Sequence, residues 1–436
     1  MVFLRKVLGA SICGLVAMSF GVWWAQPGSD AGGKRVLLWV SDDNPTRQAQ
    51  LGVFQRVDPR YKVVLDPSNQ GVEKVIVQCL AGVGPDLIDC YDAFSLASYV
   101  KSGIVEDLTD VLPQYGVDVK TQTFAGIQGA AICNGRVYGV PADLSVDGIW
   151  VHRDILRQAG IQEPRGPWSW ERLASLAQKL TLRDPSGRVT RYGLLFDWNW
   201  KVFFCTYGGH VFSPDGKTCI LDRPEAARAV AMMHDLVYKY RVAPTPVEQA
   251  SMSGRGGWGS GSIGWFGTKR GAMALGGRWW LASLRQYLGL DLGVVECPNG
   301  GYRRFFGYGR ATLINTATKN REGALGFLKC LATGAYNREV NSDADGICAF
   351  REFAKDSSLL DDQGHPSEHD NDVWLDLAEH AVPDEMSPYV DGATVNRLIT
   401  RQLELVREDE KDPVTAMRDA KRDVDAALRT AMAERK

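Results

Sequence analysis

Arg35-Val-Leu-Leu-Trp-Val40, Tyr61-Lys-Val-Val-Leu65 and Pro85-Asp-Leu-Ile-Asp-Cys90 are three short apolar runs, and the stretches between and after them carry helical periodicity. Each run has the length of a strand and is bounded by turn residues, so each reads as a buried strand. After the first, Asn44-Pro45 offers an N-cap and a first-turn proline. Leu51, Phe54 and Val57 then fall on one helical face, and Pro59 ends that helix. The spacing predicts a second helix over Val72 to Ala81 and a third over Ala93 to Lys101. Strands alternating with helices imply a mainly parallel sheet covered on both faces, an α/β fold.

Downstream, a second α/β region starts near residue 147. Its helix begins at Ser169, with Trp170, Leu173, Leu176, Ala177 and Leu180 on one face. Another helix is expected from Pro224 to about Tyr240, followed by a Gly-rich stretch, Gly254 to Gly264, read as a mobile loop carrying Trp258. Near the end, Asp412-Pro413 caps a helix whose Val414, Met417, Val424 and Leu428 can pack inward. No internal repeat of solenoid period is present.

Upstream, Arg5 and Lys6 precede an apolar run, Val7 to Ala25, that contains no charge. A positive start before such a run reads as a secretory signal. The run is also long enough to cross a bilayer as an uncleaved anchor, with its basic residues on the inner side. Ser19-Phe20-Gly21 offers a small-x-small cleavage site, but Trp23 and Trp24 follow it, so cleaved and anchored forms both stand. A linker, Pro27 to Gly33, separates this segment from the first strand. The expected location is the periplasm or the outer face of the cytoplasmic membrane.

The chain has 436 residues, 45% hydrophobic and 23% charged, which supports a full core and excludes a disordered chain. Its 50 basic and 52 acidic residues leave a formal charge of −2, with no electrostatic footprint for nucleic acid. It carries 13 Trp and 14 Tyr, residues that pair a flat apolar face with a polar edge. Besides Cys13 in the apolar run, it has Cys79, Cys90, Cys133, Cys205, Cys219, Cys297, Cys330 and Cys348. Their even number and an oxidising compartment permit disulfides; buried free thiols are the alternative.

Sequence motifs for catalysis are absent or out of context. Gly254-Arg-Gly-Gly-Trp-Gly259 and Gly259-Ser-Gly-Ser-Ile-Gly264 fit GxGxxG, but no apolar strand precedes them, as a dinucleotide fingerprint requires. There is no GxxxxGK[ST] and no GxSxG. His365 and His369 are four apart, but Pro366 and nearby aspartates place them in a loop rather than on a zinc-binding helix. The run Arg407 to Lys411 reads as a solvated helix end. No catalytic residue, metal or cofactor is expected. What remains are aromatic and carboxylate residues at element ends. Sugar rings offer apolar faces that stack on Trp or Tyr, and hydroxyls that donate to carboxylates. In α/β sheets ligands sit beyond the carboxyl ends of strands. That rule points to Asp42 and Asp43 after the first strand and to Tyr91 and Asp92 after the third, where Asn44 and Asp92 could equally be helix caps.

The order of motifs resembles the family 1 extracellular solute-binding proteins, the group that includes maltose-binding protein. Ala81-Gly-Val-Gly-Pro-Asp86 looks like that family's small-Gly-x-x-Pro-Asp segment, and Ser102-Gly-Ile-Val-Glu-Asp-Leu-Thr109 like its continuation. Val140-Pro141, Trp150-Val-His-Arg-Asp154 and Ala159-Gly-Ile161 resemble the entry to its second lobe. Trp168-Ser-Trp-Glu171 resembles its Thr-Trp-Asp-Glu helix start, Gly271-Ala-Met-Ala-Leu-Gly-Gly-Arg-Trp279 its Ala-Met-x-x-x-Gly-x-Trp element, and Lys319 to Leu328 a late helix before the lobes rejoin. The matches run in order over residues 36–430.

The resemblance implies a two-lobed periplasmic-binding-protein fold, type II-like, with a hinge and an interlobe ligand cleft, the chain crossing between lobes more than once. The expected division is residues 34–146 with 312–355, and residues 147–311 with 356–436. It implies a monomeric binder of a mono- or oligosaccharide that delivers its solute to the permease subunits of an ABC transporter, without catalysis. Trp279 falls at the family's cleft tryptophan, as a stacking platform. Asp92 falls close to a sugar-binding Asp, in a loop one residue shorter. Asp43 lies in the first-strand loop that reaches the ligand in relatives, and Tyr308 follows the segment returning to the first lobe. Tyr91 is taken with Asp92, while Trp198, Trp200 and Trp258 enter as aromatics in polar loops. Val151-His152 replaces a usual Tyr-Asn, and Pro164-Arg165-Gly166 a double proline, which leaves the ligand open. A peptide, polyamine or phosphorylated alcohol is the first alternative, which Arg278 and Arg310 would favour if they lined the cleft. A secreted polysaccharide hydrolase or lyase is the second.

Overall fold

The computed structural model describes residues 34–68, 71–252 and 259–434. The expected export or anchor segment and Trp258 lie outside the described residues. From its start the chain runs β1 (Arg35–Val40), α1 (Arg47–Val57), β2 (Tyr61–Leu65), α2 (Val72–Leu80), β3 (Leu87–Cys90), α3 (Ala93–Lys101), β4 (Gly139–Pro141) and β5 (Asp143–His152). It continues through α4 (Trp170–Leu180), β6 (Val189–Leu195), α5 (Trp200–Thr206), α6 (Pro224–Tyr238), β7 (Gly271–Gly277), β8 (Leu292–Val295), β9 (Phe305–Tyr308) and β10 (Ala311–Ile314). It ends in α7 (Gly392–Arg407) and α8 (Pro413–Glu434).

Two sheets organise these elements. The first has the order β2-β1-β3-β10-β4. β1 runs parallel to β2, with Arg35 opposite Tyr61, and parallel to β3, with Trp39 opposite Leu87. Leu37 and Trp39 point inward from one face of β1 and are fully buried, and Trp39 meets the Phe327 ring at 5.2 Å. β10 is antiparallel to both its neighbours because it arrives from the other sheet. The second sheet is centred on β5, which is antiparallel to β7, β8 and β9, while β7 is parallel to β6. The expected parallel character therefore holds for β1 to β3, and the second sheet is mixed.

The chain passes from the first sheet to the second at Ala142, returns at Gly309-Arg310, and crosses again before Ile347–Cys348, which pairs with Leu144 and Asp143. The crossing strands lie so close that a Cβ on Gly309 would stand 2.5 Å from the Asp143 carbonyl oxygen, and its φ of 149° also excludes an ordinary side chain.

Several local expectations need correction. Asn44 does not cap α1: the helix starts at Arg47 after Thr46. The Asn44 side chain instead accepts from the Thr46 amide at 3.0 Å and donates to Asp345 at 2.6 Å, so a tertiary partner claims it. Val57 and Val414, expected to pack inward, are 59% and 53% exposed, because each lies at a helix end beyond the reach of the core. Part of the Gly-rich stretch is helical, Ser262–Gly267. Other caps stand as read: Ser169 accepts from the Arg172 amide, and Asp412 from the Thr415 amide. All cysteines from Cys79 onward are free thiols, buried except Cys133. Much of the tryptophan content is core, since Trp39, Trp150, Trp168, Trp170, Trp280 and Trp374 are buried. Trp198, Trp200, Trp265 and Trp279 are half-buried.

Candidate functional site

The candidate side chains form one wall on each sheet. The first is built from the carboxyl ends of β1 and β3. The Tyr91 hydroxyl donates to Asp42 Oδ2 at 3.0 Å and accepts from the Asp42 amide at 3.3 Å. Burial, with Asp89 and Asp42 nearby, holds the Tyr91 hydroxyl well above the usual phenol range, so it stays a donor. The Asp42 carboxylate lies 2.8 Å from Arg47 Nη2. Asp43 is exposed. The Asp92 carboxylate caps α3, accepting from the Ser95 amide at 2.7 Å and the Ser95 hydroxyl at 2.9 Å.

Beneath this wall lies a buried ionic cluster at the crossovers. Arg310 donates through its amide and Nε to the two Asp143 oxygens, both at 3.1 Å, and through Nη2 to Gln50 at 2.8 Å and Tyr336 at 2.9 Å. Its guanidinium is 3.5 Å from both Asp89 and Asp345 and lies over the Trp39 ring at 5.4 Å. Asp89 also accepts from Trp39 Nε1 at 2.9 Å and Thr312 Oγ1 at 2.6 Å. Asp345 accepts from Arg47, from Gln50 at 2.7 Å and from Asn44. Burial alone would raise the Asp345 carboxyl, but Arg47 and Arg310 outweigh it and hold it below the usual range. For Asp143, burial and the Asp345 charge win, and its carboxyl is pushed up.

The second wall is aromatic. Trp279, just past the end of β7, donates from Nε1 to the Tyr308 hydroxyl at 3.1 Å, and that hydroxyl donates to Asp147 Oδ1 at 2.7 Å. Strand register creates this array: Asp147 on β5 sits opposite Gly277 on β7, and Tyr308 on β9 sits opposite Ser145. Trp279 folds back over Gly277, where a Cβ would meet its ring at 2.7 Å. Burial raises the Asp147 carboxyl to about 6; the Tyr308 bond opposes that rise, and the charge of Asp197 adds to it. Asp197 accepts from Ser262 Oγ at 3.1 Å. The neighbouring Trp198 has a buried indole N–H without a partner among the described residues. Trp200 starts α5, meets Phe204 edge-on at 5.2 Å, and lines an apolar recess with Phe94, Lys201 and Phe306.

The structure thus joins Trp279 to Tyr308, pairs Tyr91 with Asp42, leaves Asp43 in solvent and engages Asp92 as a cap. Sequence reasoning missed Asp147, although a signal existed. Asp143, Ser145 and Asp147 alternate with Leu144 and Val146, the period of a strand with one polar face. Arg278 and Arg310, suggested as anion ligands, are buried elsewhere. Arg278 donates to the Asn371 side chain and to the carbonyls of Asn341 and Gly346, each at 2.9 Å, and Arg310 holds the crossovers together. His152 is a core residue: its ring stacks on Phe266 at 4.2 Å, and burial lowers it to about 4, so it is neutral.

A family model described as bacterial extracellular solute-binding protein matches residues 41–337. A stretch of 106 residues is 33% identical to YcjN of Escherichia coli (strain K12), a protein assigned as an ABC transporter periplasmic-binding protein; it spans 22% of this chain and 23% of that one. Among solved structures, the ABC substrate-binding protein Lmo0181 of Listeria monocytogenes, in complex with cycloalternan, superposes with a TM-score of 0.76 at 18% identity, covering 92% of this chain and 99% of that one. UgpB of Mycobacterium tuberculosis, in complex with glycerophosphocholine, superposes with a TM-score of 0.72 at 19% identity, covering 92% and 100%.

Proposed function

This chain belongs to the bacterial extracellular solute-binding proteins, and on that premise we propose that the solute it captures for its ABC importer is a carbohydrate. The family consists of binding proteins that work with membrane permeases, on the periplasmic or extracellular side. Among the described residues no helix is long and apolar enough to cross a membrane. The observation that carries the carbohydrate reading is the chain Trp279–Tyr308–Asp147: an indole face beside a hydroxyl and a carboxylate that keeps an oxygen available. A sugar ring stacks its apolar face on Trp279 while its hydroxyls donate to Asp147 and Asp197. The lobes we assign divide at the crossovers, at Ala142, at Gly309-Arg310 and before Ile347, a few residues ahead of the expected boundaries at 146, 311 and 355. The solute favours the closed state because only that state contacts it from both sides. Tyr91, Asp43, Trp198, Trp200 and Trp258 complete the proposed contact set, with Asp92 behind them. The chain acts as a monomer, without turnover of its ligand, and is released or anchored through residues 7–25.

A second reading is a glycerol phosphodiester, which the likeness to UgpB favours. The engagement of Arg278 and Arg310 elsewhere weighs against it, because an anion needs an opposing charge in the cleft. A thermal-shift screen with mono- and oligosaccharides on one side and glycerophosphodiesters on the other separates the two. A ligand at a hundredfold excess over its Kd adds about 2.7 kcal/mol of stability. A shift with sugars alone supports the proposal, and a shift with phosphodiesters alone replaces it.

A further inference from the structure

A hollow lies on the side of the second sheet opposite Asp147. Side chains alternate across β5, so Trp150 points away from the face that carries Asp147. Trp374 lies on the Trp150 side, where a Cβ on Gly148 would stand 3.0 Å from its ring, and the two indoles meet at 5.3 Å. They floor a cavity of about 320 Å³ walled by Leu281, Leu284, Leu292 and Val294. That size suits a small organic molecule with a mostly apolar body. None of the residues around it belongs to the proposed solute contacts.

The acids at its mouth already have partners. Both Glu368 oxygens accept from Arg285, at 2.8 and 3.0 Å, and Asp370 accepts from Arg153 at 2.6 Å and from the Val294 amide at 2.8 Å. Asp291 pairs with Arg157 at 2.8 Å. Arg278, directly behind the mouth, is different. Its Nε donates to Asn371 Oδ1, which lines the cavity, and its Nη1 to the carbonyls of Asn341 and Gly346. The guanidinium is 1% exposed, and its Nη2 is buried with no hydrogen-bond partner among the described residues. Nη2 shares one edge of the planar guanidinium with Nε, so it faces the same side as Asn371. Burial of a cation held only by neutral groups lowers Arg278 to about 10. Asn371 also opens the helix Asn371–Glu379, whose N-terminus no side chain caps, because Asp370 is engaged by Arg153 and Val294. An unpaired buried cation beside an uncapped helix N-terminus favours an anion. Glu368 and Asp370 limit that anion to a single charge.

We propose that this cavity is a second ligand site, which takes a small organic monocarboxylate with an aromatic or branched apolar body. The carboxylate lies at the Asn371 end, beside Arg278, and the body lies between Trp150, Trp374 and the leucines. Because the site and the solute wall occupy opposite faces of the sheet, both ligands bind at once.

The test is calorimetric titration of the protein with phenylacetate, indole-3-acetate and isovalerate, each beside its amide, which keeps the shape and removes the charge. At least one carboxylate is expected to bind, with its amide about tenfold weaker, the difference between a charge-assisted and a neutral hydrogen bond. Leu292→Trp fills the cavity from its half-buried wall. It is expected to abolish carboxylate binding and to leave the affinity for a sugar unchanged. Arg278→Met is expected to weaken carboxylate binding about tenfold; should it fail to melt cooperatively, Leu292→Trp and the amides carry the same readout. Trp279→Ala is expected to leave carboxylate binding unchanged. No binding of any of the three carboxylates, equal affinity for the amides, or binding that survives Leu292→Trp overturns the site. Loss of carboxylate binding in Trp279→Ala overturns it too, because the anion would then be the solute of the other face.

Discussion

The cluster at the crossovers and the aromatic wall are both rich in aspartate, yet they are built on opposite principles. Around Arg310 and Arg47, the carboxylates Asp89, Asp143 and Asp345 are buried, and arginine, amide or hydroxyl donors converge on them. Near Trp279, the carboxylates Asp147 and Asp197 each receive a hydroxyl donor, and the largest charge acting on Asp147 is another carboxylate. A saturated network makes a joint, because moving it would leave charges unpaired in a low dielectric. A carboxylate with acceptor capacity left over, next to an indole face, suits the solute contact proposed for Asp147.

Arg310→Met should break the joint most severely. Removing it leaves Asp89, Asp143 and Asp345 partly uncompensated, and an expected loss of about 3–5 kcal/mol should appear in urea unfolding. A loss under about 1 kcal/mol would mean that the cluster is not a joint and that the contrast with the second wall is empty. Trp279→Ala should do the reverse. It should bind the sugar found by screening about tenfold to a hundredfold more weakly, in line with the burial lost from one aromatic face, while melting close to the parent. Unchanged affinity by calorimetry would move the solute off this wall.

Proton linkage sharpens the difference next. If sugar hydroxyls donate to the Asp147 carboxylate, the ionised form binds, and affinity should weaken as pH falls through about 6, by at most tenfold per unit. Asp147→Asn should abolish that dependence. The same raised value has the opposite sign for the unliganded fold. The folded state keeps its proton to a higher pH than the unfolded chain, so this contribution to stability is present at low pH and lost as pH rises from about 4 toward 6. A calorimetric series from pH 5 to 8 with a flat affinity would exclude Asp147 as an acceptor for the solute. The smallest effect belongs to the first wall: Asp92→Ala should cost about 1 kcal/mol through the lost α3 cap. A much larger loss of affinity than of stability would make Asp92 a direct contact as well.

Legibility in the sequence followed the range of the interaction. β2 and α3 begin and end where the spacing put them, and Ser169, Asp92 and Asp412 cap the helices they precede. Asn44 escaped the same reasoning because a distant residue, Asp345, claims its side chain. Asp345 meets Arg47 across 298 positions of sequence, so only the fold buries the pair. The tryptophans make the same point. Their number suggested a ligand surface, but the core absorbs Trp39, Trp170, Trp280 and Trp374, and the wall keeps Trp279 and Trp198 half-exposed.

By itself, the sequence determined the alternation of strands and helices, most of the caps and, through the order of its motifs, the two-lobed family. Each of these follows from contacts within a few residues or from a linear pattern. The tertiary structure alone decided which aspartates are saturated joints and which keep acceptor capacity, which arginines hold the crossovers, and that Phe94 meets Lys201. Those outcomes depend on burial and on partners from distant parts of the chain, and a side chain's charge state and reach are set by what surrounds it in space.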